Sequence, residues 1–113
     1  ASVEQVAQMT LRVLEANVPT SVPTINFLSG GQTDEQATEN LQAMNAIKTP
    51  SQSWEVSYSY GRALQAACLQ AWQGKEDNRA QAQQALYKRL KLNSAAAIGQ
   101  YNAAMEAEAI EIA

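Results

Sequence analysis

The residues best suited to chemistry in this sequence fall in two short stretches, Ser29-Gly30-Gly31 and Ser59-Tyr60-Gly61-Arg62. In each, a β-rich run ends at serine and passes through glycine into the start of a helix. Glycine lets the backbone approach a ligand closely and take up positive φ. Free N–H groups at such a turn, next to a helix N-terminus, favour an anion. Arg62 adds a planar fork of donors that matches the oxygens of phosphate. One Ser-Gly-Gly turn usually does no more than reverse the chain. Two such turns, each at the C-terminal end of a strand, outline a phosphate site.

The elements that must position these residues follow from hydrophobic spacing. Val3, Val6, Ala7, Leu11, Leu14 and Val18 recur at three and four residues, which predicts a helix over 3–18. It stops in "VPTSVP", because a proline disfavours helix at the residue before it. "TINFLS", 24–29, is short and β-rich and reads as a strand. After Gly30 and Gly31, Thr33 and Gln36 form a capping box, and Asp34 and Glu35 suit the positive end of a helix whose stripe is Ala37, Leu41, Met44 and Ile47. Trp54, Val56, Tyr58 and Tyr60 alternate with Glu55, Ser57 and Ser59, the period of a second strand. A helix resumes at Arg62 with Leu64, Ala67, Cys68, Ala71 and Trp72 on one face. "GKEDN" is a loop, and another helix runs to Leu92 with Leu86 and Leu90 as its larger apolar groups. Asn93 and Ser94 are expected to recap the chain into a final alanine-rich helix over much of 95–112, interrupted near Gly99.

Strands alternating with helices imply an α/β fold with a parallel sheet. Only two strands are evident, and two parallel strands can neither cover both faces nor protect their edges. The pattern therefore reads as a piece of a larger α/β fold.

Composition narrows the function further. A 113-residue chain of net charge −3 supports one domain near the small end for a self-sufficient core. Mild acidity argues against nucleic-acid or anionic-membrane partners held by bulk charge. No apolar run is long enough to span a bilayer, and no basic-then-apolar leader opens the sequence. A single cysteine, Cys68, permits no internal disulfide and points to a reducing compartment. One cysteine and no histidine argue against a built-in zinc site and remove Ser-His and Cys-His catalysis. Cys68 and the two tryptophans, Trp54 and Trp72, read as packing groups, and Glu106, Glu108 and Glu111 as a solvated helix face. The Ala/Gln-rich helix around 80–86 suits either a subunit contact or a tucked surface helix.

"VPTINFLSGGQTDEQATENLQAMNAI" and "SYGRALQAACLQAWQGK" closely resemble class I fructose-1,6-bisphosphate aldolase, and the likeness continues through "KEDNRAQAQQALYKRLKLNSAAAIGQY". It spans the first helix to about Tyr101. The resemblance implies a TIM (β/α)₈ barrel, of which 1–113 would be one C-terminal segment, with "TINFLS" as strand seven, "SWEVSYS" as strand eight and extra C-terminal helices. In such barrels the loops after strands seven and eight often hold a phosphate. By motif match, Ser29 and Gly30 would bind it from the first loop and Gly61 and Arg62 from the second. Ser59 would support them, and Leu28, Gly31 and Tyr60 would line the pocket.

The implied reaction is reversible cleavage of fructose 1,6-bisphosphate to dihydroxyacetone phosphate and glyceraldehyde 3-phosphate, through a lysine Schiff base and without metal or cofactor. That lysine belongs to strand six of the family, ahead of this sequence, so no catalytic residue is expected within it. Lys48, Lys75, Lys88 and Lys91 read as solvated. The isolated segment is expected to be inactive, with the rest of the barrel as its partner. Family analogy suggests a homotetramer in the cytoplasm or, alternatively, a plastid. The tail tyrosine of the family is not carried onto Tyr101. The alternative function is a non-catalytic, aldolase-derived structural or interaction module.

Overall fold

The structure, a computed structural model, describes residues 1–110. Six elements follow in order: α1 Val3–Asn17, β1 Thr24–Phe27, α2 Asp34–Ile47, β2 Glu55–Tyr58, α3 Arg62–Trp72 and α4 Arg79–Ala97, with short 3₁₀ turns at Glu76–Asn78 and Ala103–Ala107. Both strands are shorter than their sequence patterns, which ran on through Ser29 and Tyr60.

The helix starts are chemically explicit. Thr33 Oγ1 accepts from the Gln36 N–H and Gln36 Oε1 accepts from the Thr33 N–H, each at 3.1 Å, closing the expected capping box. Ser2 and Gln5 make the same reciprocal pair ahead of α1, a Ser-x-x-Gln pattern present in the sequence. Each cap contributes about 1 kcal/mol to its helix. Val18 is extended and lies just outside α1, with its N–H bonded to Leu14 O at 2.7 Å.

β1 and β2 pair in parallel, Thr24 opposite Glu55 through Phe27 opposite Tyr58. α2 packs against α1, α3 and α4, and α3 packs along α4. The core between them holds Ala7, Leu11, Leu41, Met44, Val56, Leu92, Ala96 and Tyr101. Leu41 and Leu92 are fully enclosed, and each contributes about 2 kcal/mol or more by burial. Ile25, Phe27, Val56 and Tyr58 turn toward the helices, whereas Thr24, Asn26, Leu28, Glu55 and Ser59 are exposed on the opposite face. That sheet face is bare, and among the described residues neither outer strand edge is paired.

Three expectations are corrected. Asn93 and Ser94 do not recap the chain; α4 runs through them to Ala97. The Asn93 side chain, wholly buried, donates to Arg89 O at 2.8 Å and accepts from Thr38 Oγ1 at 2.9 Å, so it has no need to cap. The helix ends instead at Gly99, whose φ of +71° lets the Gly99 and Gln100 N–H groups turn back onto Ala96 O and Ala95 O. The stretch beyond is therefore a strap with one 3₁₀ turn; residues 111–113, including Glu111, lie outside the described residues.

Glu106 is the second correction. Its carboxylate is not on a solvated helix face but pairs with buried Arg89 at 2.7 Å and accepts the Tyr101 hydroxyl at 3.0 Å. The third concerns the lower half of α3. Trp72 is 43% exposed and Cys68 only half-buried, so the apolar face of α3 is incompletely covered. Trp54, by contrast, is fully buried and donates its indole N–H to Pro19 O at 3.0 Å.

Candidate functional site

The site residues are set by how the two strands end. Parallel pairing continues one step past the strands, with Ser59 N–H donating to Phe27 O at 2.7 Å, so the two ends stay level. The chain then turns at Ser29–Gln32, closed by Gln32 N–H on Ser29 O at 2.9 Å. Gly31 takes the third position of that turn at φ +77°, a conformation that favours glycine. Ser29 is buried beneath it, and Leu28 projects outward, 72% exposed.

On the second strand, Ser59 is exposed and Tyr60 buried, as strand alternation requires. The Tyr60 hydroxyl donates to Ala37 O of α2 at 2.9 Å, so its ring faces the helix layer. Burial, with the Tyr58 hydroxyl nearby as a smaller contribution, pushes its pKa up to about 12. Gly61 precedes α3 and supplies no side-chain cap.

What the geometry leaves is a group of backbone donors. Among the described residues, the N–H groups of Gly30, Gly31, Gly61 and Arg62 find no acceptor. The Arg62 guanidinium is exposed and likewise without a hydrogen-bond or ion-pair partner among those residues. Arg62 and Gly31 line one cleft of about 590 Å³ between the start of α2 and α3, together with Gln32, Asp34, Glu35 and Gln70. Ser29, Gly30 and Gly61 are not on its wall. Unpartnered amides at level strand ends, a helix start without a cap and a free guanidinium together suit a small anion. The carboxylates of Asp34 and Glu35, on the wall of the cleft, oppose an anion beside them.

The lysines require a correction. Lys75 and Lys91 are exposed, but Lys48 and Lys88 are half-buried. Lys48 donates to Trp54 O at 2.6 Å and Lys88 to Glu106 O. Both are tied to backbone carbonyls outside the two strand-end turns. Among the described residues no group of His, Cys, Asp or Glu is placed to hold a metal ion, and no helix is long and apolar enough to cross a membrane.

Sequence reasoning missed two contacts beside the site, Tyr60 to Ala37 and Asn40 Nδ2 to Gln32 Oε1 at 2.6 Å. Gln32 and Asn40 both stand in the quoted motif, but their spacing of eight places one in a turn and the other on a helix.

Known proteins share this chain's sequence and fold. Residues 1–112 match the family model described as "Glycolytic: Fructose-bisphosphate aldolase class-I". The cytoplasmic isozyme of fructose-bisphosphate aldolase from Spinacia oleracea is 52% identical over 98 residues, 87% of this chain and 27% of that protein. Fructose-bisphosphate aldolase 1, chloroplastic, from Arabidopsis thaliana is 50% identical over 96% of this chain and 26% of its own length. A solved structure of Plasmodium falciparum fructose-bisphosphate aldolase, in complex with TRAP and a small-molecule inhibitor, superposes with a TM-score of 0.85 at 42% identity, covering 90% of this chain and 29% of that one. The chain thus spans roughly a quarter of the curated relatives it matches. Its α/β fold is that of the aldolases, and on both sequence and structure the chain belongs to the class I fructose-bisphosphate aldolase family.

Proposed function

We propose that this chain supplies the phosphate-binding part of a class I aldolase active site, within a protein that cleaves fructose 1,6-bisphosphate reversibly to dihydroxyacetone phosphate and glyceraldehyde 3-phosphate. The observation that carries the proposal is the pair of level strand ends whose amides at Gly30, Gly31, Gly61 and Arg62 find no acceptor among the described residues, together with the Arg62 guanidinium, unpaired among those residues, which shares a cleft with Gly31. Ser29 and Gly30 form one jaw on the phosphate and Gly61 and Arg62 the other. Ser59 and Tyr60 support the second jaw, and Leu28 and Gly31 border the pocket.

The bare sheet face and open strand edges support a barrel completed by further strands, with β1 and β2 as strands seven and eight. Residues 1–113 form one segment of that barrel. The Schiff-base lysine is supplied from outside this segment, since Lys48 and Lys88 are held by carbonyls and Lys75 and Lys91 are exposed away from the strand ends. The chemistry here is positioning. A phosphate gripped at the strand ends holds the ketose in the site equally in the ground state and the transition state, so the grip sets affinity. The whole protein is proposed to be a homotetramer in the cytoplasm, with a plastid as the alternative that the chloroplastic relatives raise.

Two measurements test this reading in the whole protein. Arg62→Ala is expected to raise KM for fructose 1,6-bisphosphate by roughly ten-fold or more, since it removes a charge-assisted donor. An unchanged KM and kcat would remove Arg62 from the site. Borohydride trapping with dihydroxyacetone phosphate is expected to modify a lysine outside residues 1–113. An adduct on Lys48, Lys75, Lys88 or Lys91 would overturn the division of roles, and the absence of any adduct would favour a non-catalytic structural or interaction module.

A further inference from the structure

One turn of α2 touches both strand ends. Asn40 Nδ2 donates to Gln32 Oε1 at 2.6 Å, and Gln32 closes the Ser29–Gln32 turn through its own N–H. One turn earlier, Ala37 O accepts the hydroxyl of Tyr60, the residue directly before Gly61. Ala37 is itself fully buried and packs with Tyr60 and Ala63 in a small cluster that Phe27 and Tyr58 complete. Among the described residues no hydrogen bond joins the two turns directly; the last link between the strands is Ser59 N–H on Phe27 O. Their common support is this helical turn.

We infer that Asn40 and Tyr60 are positioning residues for phosphate binding. Asn40 pins the Ser29–Gly31 turn through Gln32, Tyr60 pins the Gly61–Arg62 start of α3 through Ala37, and residues 37–40 of α2 hold the two at a fixed separation. The inference rests on the phosphate site proposed above. Its physical basis is preorganisation. A turn of bare amides around a positive-φ glycine has other conformations available, and each one populated lowers the apparent affinity by the fraction of time it is occupied. The Gln32–Asn40 bond is half-buried and short, and Gln32 has no other side-chain partner among the described residues. Neither Asn40 nor the Tyr60 hydroxyl is assigned a contact with substrate, so their effect is on binding geometry alone.

The test uses the whole protein and compares Asn40→Leu, Tyr60→Phe and Asn40→Gln with the parent, and Arg62→Ala as the control for the site itself. kcat and KM are measured for fructose 1,6-bisphosphate, and inorganic phosphate is titrated as a competitive inhibitor. Asn40→Leu and Tyr60→Phe are each expected to raise KM and the phosphate inhibition constant about three- to ten-fold, the effect of one lost hydrogen bond, with kcat nearly constant. Asn40→Gln keeps the amide donor, and a cavity of about 270 Å³ lined by Phe27, Gln32, Asn40, Met44 and Tyr60 has room for its extra methylene, so most of the loss is expected to return. A merely structural role would lower thermal stability without this split between KM and kcat. If Arg62→Ala weakens phosphate binding but Asn40→Leu and Tyr60→Phe do not, the inference is overturned and the site stands. If Arg62→Ala also leaves both constants unchanged, the phosphate site fails, and with it the inference.

Discussion

Removing the Glu106 carboxylate should release the strap that follows α4, and the magnitude can be worked from its surroundings. The Arg89 side chain is 6% exposed and that of Glu106 is 17% exposed, at a separation of 2.7 Å. Arg89 Nη2 is bonded to Thr38 Oγ1 at 2.5 Å and Asp34 O at 3.2 Å, while Nε has no partner among the described residues. In Glu106→Ala, Nη1 joins Nε without an acceptor and the Tyr101 hydroxyl loses its own. Stranding a buried charge in this way costs about 3–5 kcal/mol. The same chemistry at the surface, Arg79 with Glu76 at 3.0 Å and side chains 66% and 76% exposed, is worth at most about 1 kcal/mol, because water solvates each ion whether or not they meet. Burial, not distance, separates the two cases. Native-state hydrogen exchange in the whole protein reads the strap directly, since the N–H groups of Tyr101 and Met105 are held by Gln42 Oε1 at 2.8 Å and Asn102 O at 3.1 Å. Glu106→Ala is expected to speed their exchange by roughly 10²–10³-fold, up to the limit of a fully undocked strap. Arg89→Met combined with Glu106→Leu, which strands no charge, is expected to recover most of the protection. Exchange within about three-fold of the parent in Glu106→Ala would refute the claim that this ion pair fastens the strap.

Two further outcomes follow from the same structure. Gly31→Ala meets no atom within 4 Å, so its cost is that of backbone strain at φ +77° alone, about 1–2 kcal/mol in the turn, and phosphate affinity is expected to fall while the core melts little earlier; a core as destabilised as by a buried Leu→Ala change would show that space rather than φ is limiting. Tyr60 is held protonated by burial up to about pH 12, so the folded state keeps its proton where the unfolded chain has lost it. Its contribution is therefore fully present below about pH 10 and is lost as pH rises through about 12, and ultraviolet titration should show a late tyrosinate step that Tyr60→Phe removes. Tyr101 is also shifted above the ordinary phenol value, by burial first and then by the Glu106 hydrogen bond and the Glu106 and Glu39 charges, with Arg89 opposing. A normal step for every tyrosine would contradict both assignments.

Much of the fold can be read from neighbours in the sequence. The Thr33–Gln36 capping box, the period of two in 54–60 and the stripe of α2 each depend on residues within one or two turns of one another; the box forms as written, the strand keeps only Glu55–Tyr58, and the stripe buries Ala37, Leu41 and Met44 but leaves Ile47 45% exposed. The candidate site was legible at the same level, because serine, glycine and arginine at a strand-to-helix turn have chemistry whatever packs behind them. That the two turns lie level depends on parallel pairing of β1 with β2, which alternating strands and helices already imply.

The tertiary structure decided the fate of the polar groups. Asn93 has the residue type of a cap, yet it sits inside α4, because Thr38 on α2, 55 residues away in sequence, is close enough to satisfy it. Glu106 has the pattern of a solvated residue, yet it is paired, because Arg89 is turned inward by Thr38 and Asp34 O. Asn40 and Gln32 look like ordinary helix and turn residues until the turn after β1 folds over α2. Local propensity is worth about 1 kcal/mol per cap, whereas leaving a buried polar or charged group unsatisfied costs several. Where the two conflict, the outcome therefore depends on which distant partner burial brings within hydrogen-bond reach, and that is a property of the packed chain rather than of any stretch of its sequence.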